Sequence, residues 1–377
     1  MTTHLLISLW ASSLTQVQKT CIMSSKSNVF MTGVTGYVGG SVLSRLLQHP
    51  DGPSFSITVL VRSEEKANKL KDFGVNPVVG SIKDVALLEE LSSKADILIS
   101  LADSDDLAMG QAMLRGLKRR YETNGSVPIL IQTSGTGVLA DGSAGDYSGD
   151  VIYNDDDPDQ IETLANTQQH RYLDLALVQG DKEGYVRVYL ILPSNIYGLA
   201  TGKLVDAGIQ NPRSIQIPSI INASLSRGRG GMVGAGKNIW NDVHIDDVAD
   251  LYVVLYDSIK SNPKATGHGR EGFYIAENGE HTLYQIGKAI AEDLVARGKA
   301  TNPEPSTFTD EEINLYFGGS TFWGTNSRGR SNRSRSIGWK PRYTTQDMLA
   351  GIKPEIDALI SVGGKFSFNA PAPVASG

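Results

Sequence analysis

Short apolar runs alternate with amphipathic stretches along the first half of the chain. Six of these runs, residues 28–33, 56–62, 75–80, 96–102, 128–135 and 186–193, are rich in Val, Ile and Leu and carry few charges, the pattern of strands covered on both faces. Helical spacing fills the gaps between them. Val42, Leu43, Leu46 and Leu47 share one face of the stretch 39–48, and residues 85–94 repeat the pattern. Strands alternating with helices predict an α/β fold built on a doubly wound parallel sheet. After Tyr197 the alternation weakens. Residues 27–200 are therefore expected to form the sheet domain, with 236–260 returning to it, and residues 201–235 and 261–365 to form a smaller cap. In open sheets of this kind ligands bind outside the carboxyl ends of the strands, so chemistry is sought there.

The ends of the chain read differently. Leu5–Leu14 is apolar but has no basic flank and is too short to span a bilayer. A start at Met23 would set the first strand at the N-terminus, so residues 1–26 are expected to be a disordered leader and residues 366–377 a frayed tail.

The first strand runs straight into the stretch Thr32–Gly40, where Gly33, Gly36 and Gly39 fall at the spacing G-x-x-G-x-x-G before a helix. That setting suits a dinucleotide. Gly33 permits the tight turn, Gly36 lets the backbone approach a pyrophosphate, and Gly39 lets the helix pack on the strand, while the free N–H groups at the helix start face the phosphates. Thr35, Tyr37 and Val38 lie within the same loop and are expected to touch the cofactor. The second strand ends in Arg62 rather than an acid, with Lys66 one turn further, which favours the 2′-phosphate of NADP, NAD remaining the alternative. Ser81 and Ile82 after the third strand are placed at the adenine edge, and Leu101 and Ala102 at the end of the fourth.

The glycine loop, the later segments Val243–Tyr252 and Leu192–Gly198, and the closing stretch Ile337–Met348 together resemble the extended short-chain dehydrogenase/reductase family, in its atypical epimerase/dehydratase-like branch. The stretch Val59–Lys66 is similar to the NmrA-like group. The resemblance spans about residues 28–360 and implies a Rossmann domain with a C-terminal substrate cap, NAD(P) as cofactor, and contact of the Pro193–Asn195 stretch with the nicotinamide carboxamide.

Members of that family use a tyrosine and a lysine one helical turn apart, with a serine or threonine orienting the substrate oxygen. Ser134, flanked by Thr133 and Thr136 at the end of the fifth strand, suits the last role. The tyrosine and lysine are missing. Tyr256/Lys260 and Tyr284/Lys288 have the spacing but follow the sixth strand, whereas the catalytic helix precedes it. Counting back from that strand puts His170 at the lysine position, Asn166 at the tyrosine position and Asp174 one turn beyond, so His170 and Asp174 are expected on one helix face, with His170 as proton donor or as a surface ion pair with Arg171. A slip of one turn would bring in Tyr172 instead.

Composition narrows the partners. Over 377 residues the hydrophobic fraction is 40%, the charged fraction 20% and the net charge −6, which argues against a nucleic-acid binder. A small-molecule substrate is expected, with no membrane partner, and a homodimer is compatible. One cysteine excludes a disulfide framework and a cysteine-based zinc site, and fits a reducing, cytoplasmic setting. No metal site is expected, because His244, Asp246 and Asp247 crowd one turn and read as a junction between cap and sheet. The acids Asp155, Asp156, Asp157 and Asp159 read as a solvated lid or helix start, and Arg328, Arg330, Arg333 and Arg335 as surface charge, although the family resemblance implies a basic residue near there that holds a sugar-nucleotide pyrophosphate. Two functions follow: an NADP-dependent oxidoreductase or epimerase/dehydratase-like enzyme acting on a small carbonyl or hydroxyl metabolite, or an NAD(P)-binding regulator that has lost the chemistry.

Overall fold

The computed structural model describes residues 26–361. Apart from Lys26, the expected leader lies outside the described residues, as does the expected tail. All six expected strands form: β1 (Ser27–Thr32), β2 (Phe55–Val61), β3 (Asn76–Val79), β4 (Ile97–Ser100), β5 (Ile129–Thr133) and β6 (Arg187–Pro193). After β6 come β7 (Asn195–Tyr197), β8 (Ile239–His244), β9 (Phe273–Ala276) and β10 (Glu280–Thr282). The central sheet has the order β9-β6-β5-β4-β1-β2-β3, with every pair parallel. Its order reverses between β1 and β4, which opens a crevice above their carboxyl ends.

One expected boundary is corrected. Phe273–Ala276, inside the segment assigned to the cap, supplies the seventh strand, with Phe273 beside Leu190 and Ala276 beside Pro193. Four residues are too few for a periodic signal to stand out.

Helices cover both faces because each carries one apolar stripe. On one side lie α1 (Tyr37–Gln48), α2 (Glu64–Lys71) and, from later in the chain, α7 (Ile245–Ser261), whose Val42, Leu43, Leu70, Val248, Leu251 and Leu255 meet Met31, Val59 and Ile191 of the sheet. On the other lie α3 (Val85–Ser92), α4 (Leu107–Asn124) and α5 (Arg171–Lys182), packing Leu88, Met113, Leu117, Leu173 and Leu177 on Leu98, Leu130 and Leu190. Asp106 caps α4 by accepting from the Met109 N–H.

The cap has its own core. It is built from α6 (Gln216–Arg227), α8 (Leu283–Ala296), α9 (Asp310–Phe317) and α10 (Thr345–Ser361), with Ile220, Ile286, Ile290, Phe317 and Ile352 buried together. A small sheet, with β8 between β7 and β10, joins it to the Rossmann layer. Only Ser194 separates β6 from β7, so one extended run leaves the central sheet and enters the small one. Asn195 is thereby fixed at the seam. No helix among the described residues is long and apolar enough to cross a membrane.

Candidate active site

The loop after β1 is closed to any side chain. Gly33 has φ +72°, and a Cβ there would stand 2.5 Å from the Leu101 carbonyl; a Cβ on Gly39 would stand 2.1 Å from the Gly33 oxygen. Gly36 is the N-cap of α1 and offers no side-chain acceptor, and the first turn holds no acid, so the helix start keeps its N–H groups and its positive end for an anion. These features fit a dinucleotide pyrophosphate.

A cavity of about 520 Å³ opens from this loop along the carboxyl ends of the strands and under the cap. Gly36, Tyr37, Val38, Gly39, Leu101, Pro193 and Asn195 line it. Of the other expected cofactor contacts, Gly33 forms the turn below, and the Thr35 carbonyl accepts from the Asn211 N–H of the cap. Arg62 stands exposed at the end of β2 with no partner among the described residues, whereas Lys66 donates to the Ile209 carbonyl over 2.8 Å. Ser81 accepts from the Lys83 N–H, Ile82 is half-buried and Ala102 is exposed; neither Ser81, Ile82 nor Ala102 lines the cavity. Tyr37 is buried, and its hydroxyl donates to the carbonyls of Tyr197 and Gly198, tying the loop to the seam.

The expected catalytic residues separate. His170 lines the cavity and sits just before α5 as its N-cap, in the left-handed conformation with φ +67°. Its ring is held by Asp105 rather than Asp174: Nδ1 lies 2.9 Å from Asp105 Oδ1, and the His170 N–H donates to the same oxygen over 3.0 Å. Burial raises the Asp105 carboxyl, but the His170 hydrogen bonds win and hold it below its ordinary value. His170 Nε2 has no hydrogen-bond partner among the described residues and lies against Gly135 and Gly137, where a Cβ would meet it at 3.2 and 3.3 Å.

Ser134 is turned inward. Its hydroxyl donates over 2.9 Å to Oδ2 of Asp174, which is fully enclosed, and burial pushes that carboxyl up to about 7 against the pull of His170, Ser134 and Arg171. Ser134 does not line the cavity, and neither does Tyr172, whose hydroxyl donates to the Asp105 carbonyl on the exposed side of α5. Thr136 does line it, and its hydroxyl has no hydrogen-bond partner. The count back from β6 shared a helix face between His170 and Asp174; the structure begins the helix at Arg171 and pairs His170 with Asp105 and Asp174 with Ser134 instead.

At the seam Asn195 is 3% exposed. Its Nδ2 lies 3.3 Å from His281 Nε2, and His281 Nδ1 lies 3.1 Å from Asp242 Oδ2, which also accepts from Thr345. The carboxylate requires a proton on Nδ1, so Nε2 accepts from the Asn195 amide and leaves Asn195 Oδ1 buried without a partner. Asp105 and His281 were not singled out from the sequence. Asp105 did carry a signal, an acid just past a strand's carboxyl end; His281 carried none, since its partners are 39 and 86 residues away.

The remaining clusters serve the framework. Tyr256 and Lys260 both reach Asp51, and Tyr284 and Lys288 both reach Glu304, far from the cavity wall. Asp247 accepts from the Arg342 and Tyr343 N–H groups while His244 stacks on Tyr343. The acidic run is not a solvated lid throughout: Asp157 caps a short helix, but Asp155 is 1% exposed and accepts from the N–H groups of Ile275, Arg333 and Ser334.

Residues 25–120 match the model of the NmrA-like family. The chain is 31% identical to the oxidase ucsJ of Acremonium sp over 334 residues, covering 83% of this chain and 92% of that protein. Among solved structures it is similar to UDP-glucose 4-epimerase of Thermotoga maritima, with 15% identity, a TM-score of 0.58, and coverage of 89% and 99%. It is also similar to the dTDP-glucose 4,6-dehydratase DesIV of Streptomyces venezuelae, with 17% identity, a TM-score of 0.59, and coverage of 90% and 99%. The chain belongs to one family with the oxidase ucsJ. Its fold is that of the short-chain dehydrogenase/reductase epimerases, and its sequence is NmrA-like at the N-terminal end. The solved structure of DesIV holds NAD. On the cavity wall Tyr37 is the single tyrosine and no lysine stands among the described residues.

Proposed function

We propose that this protein is an NADP-preferring oxidoreductase acting on the carbonyl or hydroxyl carbon of a small metabolite, with His170 as its proton donor. The observation that carries the reading is His170 on the cavity wall, held by Asp105 through Nδ1 and with Nε2 left unpartnered among the described residues. NADPH, when bound, supplies the hydride to the carbonyl carbon and leaves as NADP⁺. Gly33, Gly36, Gly39 and the start of α1 would hold its pyrophosphate, Pro193 and Asn195 its nicotinamide end, and Arg62 its 2′-phosphate.

His170 Nε2 then gives its proton to the carbonyl oxygen, which becomes a hydroxyl, and the ring regains a proton from solvent. Asp105 fixes Nδ1 as the protonated nitrogen and steadies the charged ring, so that Nε2 alone faces the substrate. With the Ser134 hydroxyl committed to Asp174, His170 Nε2 is the group left to meet the substrate oxygen.

The wall without a lysine supports a second reading, a cofactor-binding regulator. One assay separates the two. Purified protein, NADPH and a panel of carbonyl compounds are followed at the nicotinamide absorbance band. The enzyme reading expects turnover that falls roughly a hundredfold in His170→Ala with NADPH affinity unchanged. If no carbonyl oxidises NADPH above the blank, the regulator reading stands.

A further inference from the structure

Two features of the cap point to the kind of molecule the cavity accepts. The first is its apolar wall. Trp240, Phe322 and Trp323 line the cavity and brace one another edge to face, with ring centroids 5.6 Å apart for Trp240–Phe322 and 5.4 Å for Phe322–Trp323. Trp240 is pinned by its indole N–H on the Thr325 carbonyl, so the wall is rigid. Ile215 extends it to the mouth, where 52% of its surface is open to solvent.

The second feature is the fate of the basic cluster. Arg328 and Arg330 both close on Glu280, at 2.9–3.0 Å, Arg333 donates to the Asp155 carbonyl at 2.8 Å, and Arg335 to Asn278 Oδ1 at 3.0 Å. None of the four lines the cavity. Among the described residues Arg213 is the only lysine or arginine on its wall, and one of its nitrogens is spent on the Ala358 carbonyl at 2.9 Å. The helix start of α1 is taken by the cofactor's own diphosphate, so a second diphosphate under the cap would have one guanidinium to offset the desolvation of its two or more charges.

We infer that the substrate is a planar, largely unsaturated carbonyl compound carrying at most one acidic group, laid against Phe322, Trp323 and Trp240, and not a nucleotide sugar. The inference rests on the reading that substrate meets the nicotinamide in this cavity. Flat π-systems gain from offset or edge contact with such rings beyond simple area burial. Arg213 receives the acidic group when there is one.

The test is binding, read separately from turnover. Calorimetric titrations of the full chain, with and without NADPH, compare 2-acetylnaphthalene with UDP-glucose. The planar ketone is expected to bind in the micromolar range and UDP-glucose not to bind at 1 mM. Phe322→Leu and Trp323→Leu should each weaken the ketone by roughly three- to tenfold while leaving NADPH affinity unchanged. The two-ligand comparison on the unmodified protein decides the matter even if both variants misfold. Failure of the ketone to bind at 1 mM overturns the inference, as does tighter binding of UDP-glucose or ketone affinity unmoved in both folded variants. Ketone binding without NADPH oxidation upholds the substrate class and instead counts against the oxidoreductase reading.

Discussion

The Ser134 hydroxyl is the only hydrogen-bond donor to Asp174 among the described residues, and the other carboxylate oxygen of Asp174 has none. A serine and an acid 40 residues apart thus form a closed polar pair off the cavity wall, which His170 lines.

That pair makes stability depend on pH in a stated direction. Burial raises the folded carboxyl of Asp174 to about 7, above the ordinary value of 3.8, so the unfolded chain ionises first as pH rises. The protonated acid favours the folded state below the ordinary value, and this contribution is lost between there and about 7. Asp174→Asn should therefore melt increasingly higher than the parent as pH goes from 4 to 8. Thermal melts at several pH values check this, and a constant offset across them would refute it.

Catalysis should fall in two unequal steps along the His170–Asp105 pair. His170→Ala loses the proton donor, whereas Asp105→Asn leaves the ring in place but loosens its tautomer, so kcat should drop roughly tenfold or more for the second and about a hundredfold for the first. The double variant should be no slower than His170→Ala alone, because the two act as a unit. Steady-state kinetics of the three proteins decide it, and additive losses would separate their roles.

Arg62 sets cofactor choice in the proposed reading. Its exposed, unpartnered guanidinium can make a charge-assisted contact with a 2′-phosphate, worth about 1.5–3 kcal/mol, or roughly ten- to a hundredfold in affinity. Arg62→Ala should weaken NADPH by that factor and leave NADH unchanged. Equal dissociation constants for the two cofactors in the parent protein would dismiss the assignment.

Gly39 has no room for even one methyl group. A Cβ at 2.1 Å from the Gly33 oxygen must push α1 away from the loop. Gly39→Ala is expected to lower the melting temperature and to abolish NADPH binding at micromolar cofactor. Differential scanning fluorimetry with and without NADPH reads both effects, and a retained ligand-induced shift would contradict the prediction.

Much of this architecture was legible beforehand because it is local in the chain. Six strands showed as uninterrupted apolar runs, and the glycines of the first loop announced their own geometry. The site was legible only in pieces. His170 was found by counting from β6, but its partner was not, since helix start and left-handed turn depend on Asp105, 65 residues away. Ser134 looked like the substrate-facing hydroxyl because it stands at a strand end, but the buried acid on α5, 40 residues away, turns it inward. Asp155 read as solvated because its neighbours are acidic, and only the approach of Ile275, Arg333 and Ser334 encloses it. Charge identity is written in the sequence; charge pairing across a hundred residues is not.

The chain leaves the central sheet for the cap after Ser194, returns along α7 and β9, and leaves again after β9. Such a cap cannot be traded by recombination as a cassette, because no two cuts would remove it without also removing part of the central sheet or of the helices on it. Exchanging the cap as a block would thus disturb the central sheet with it.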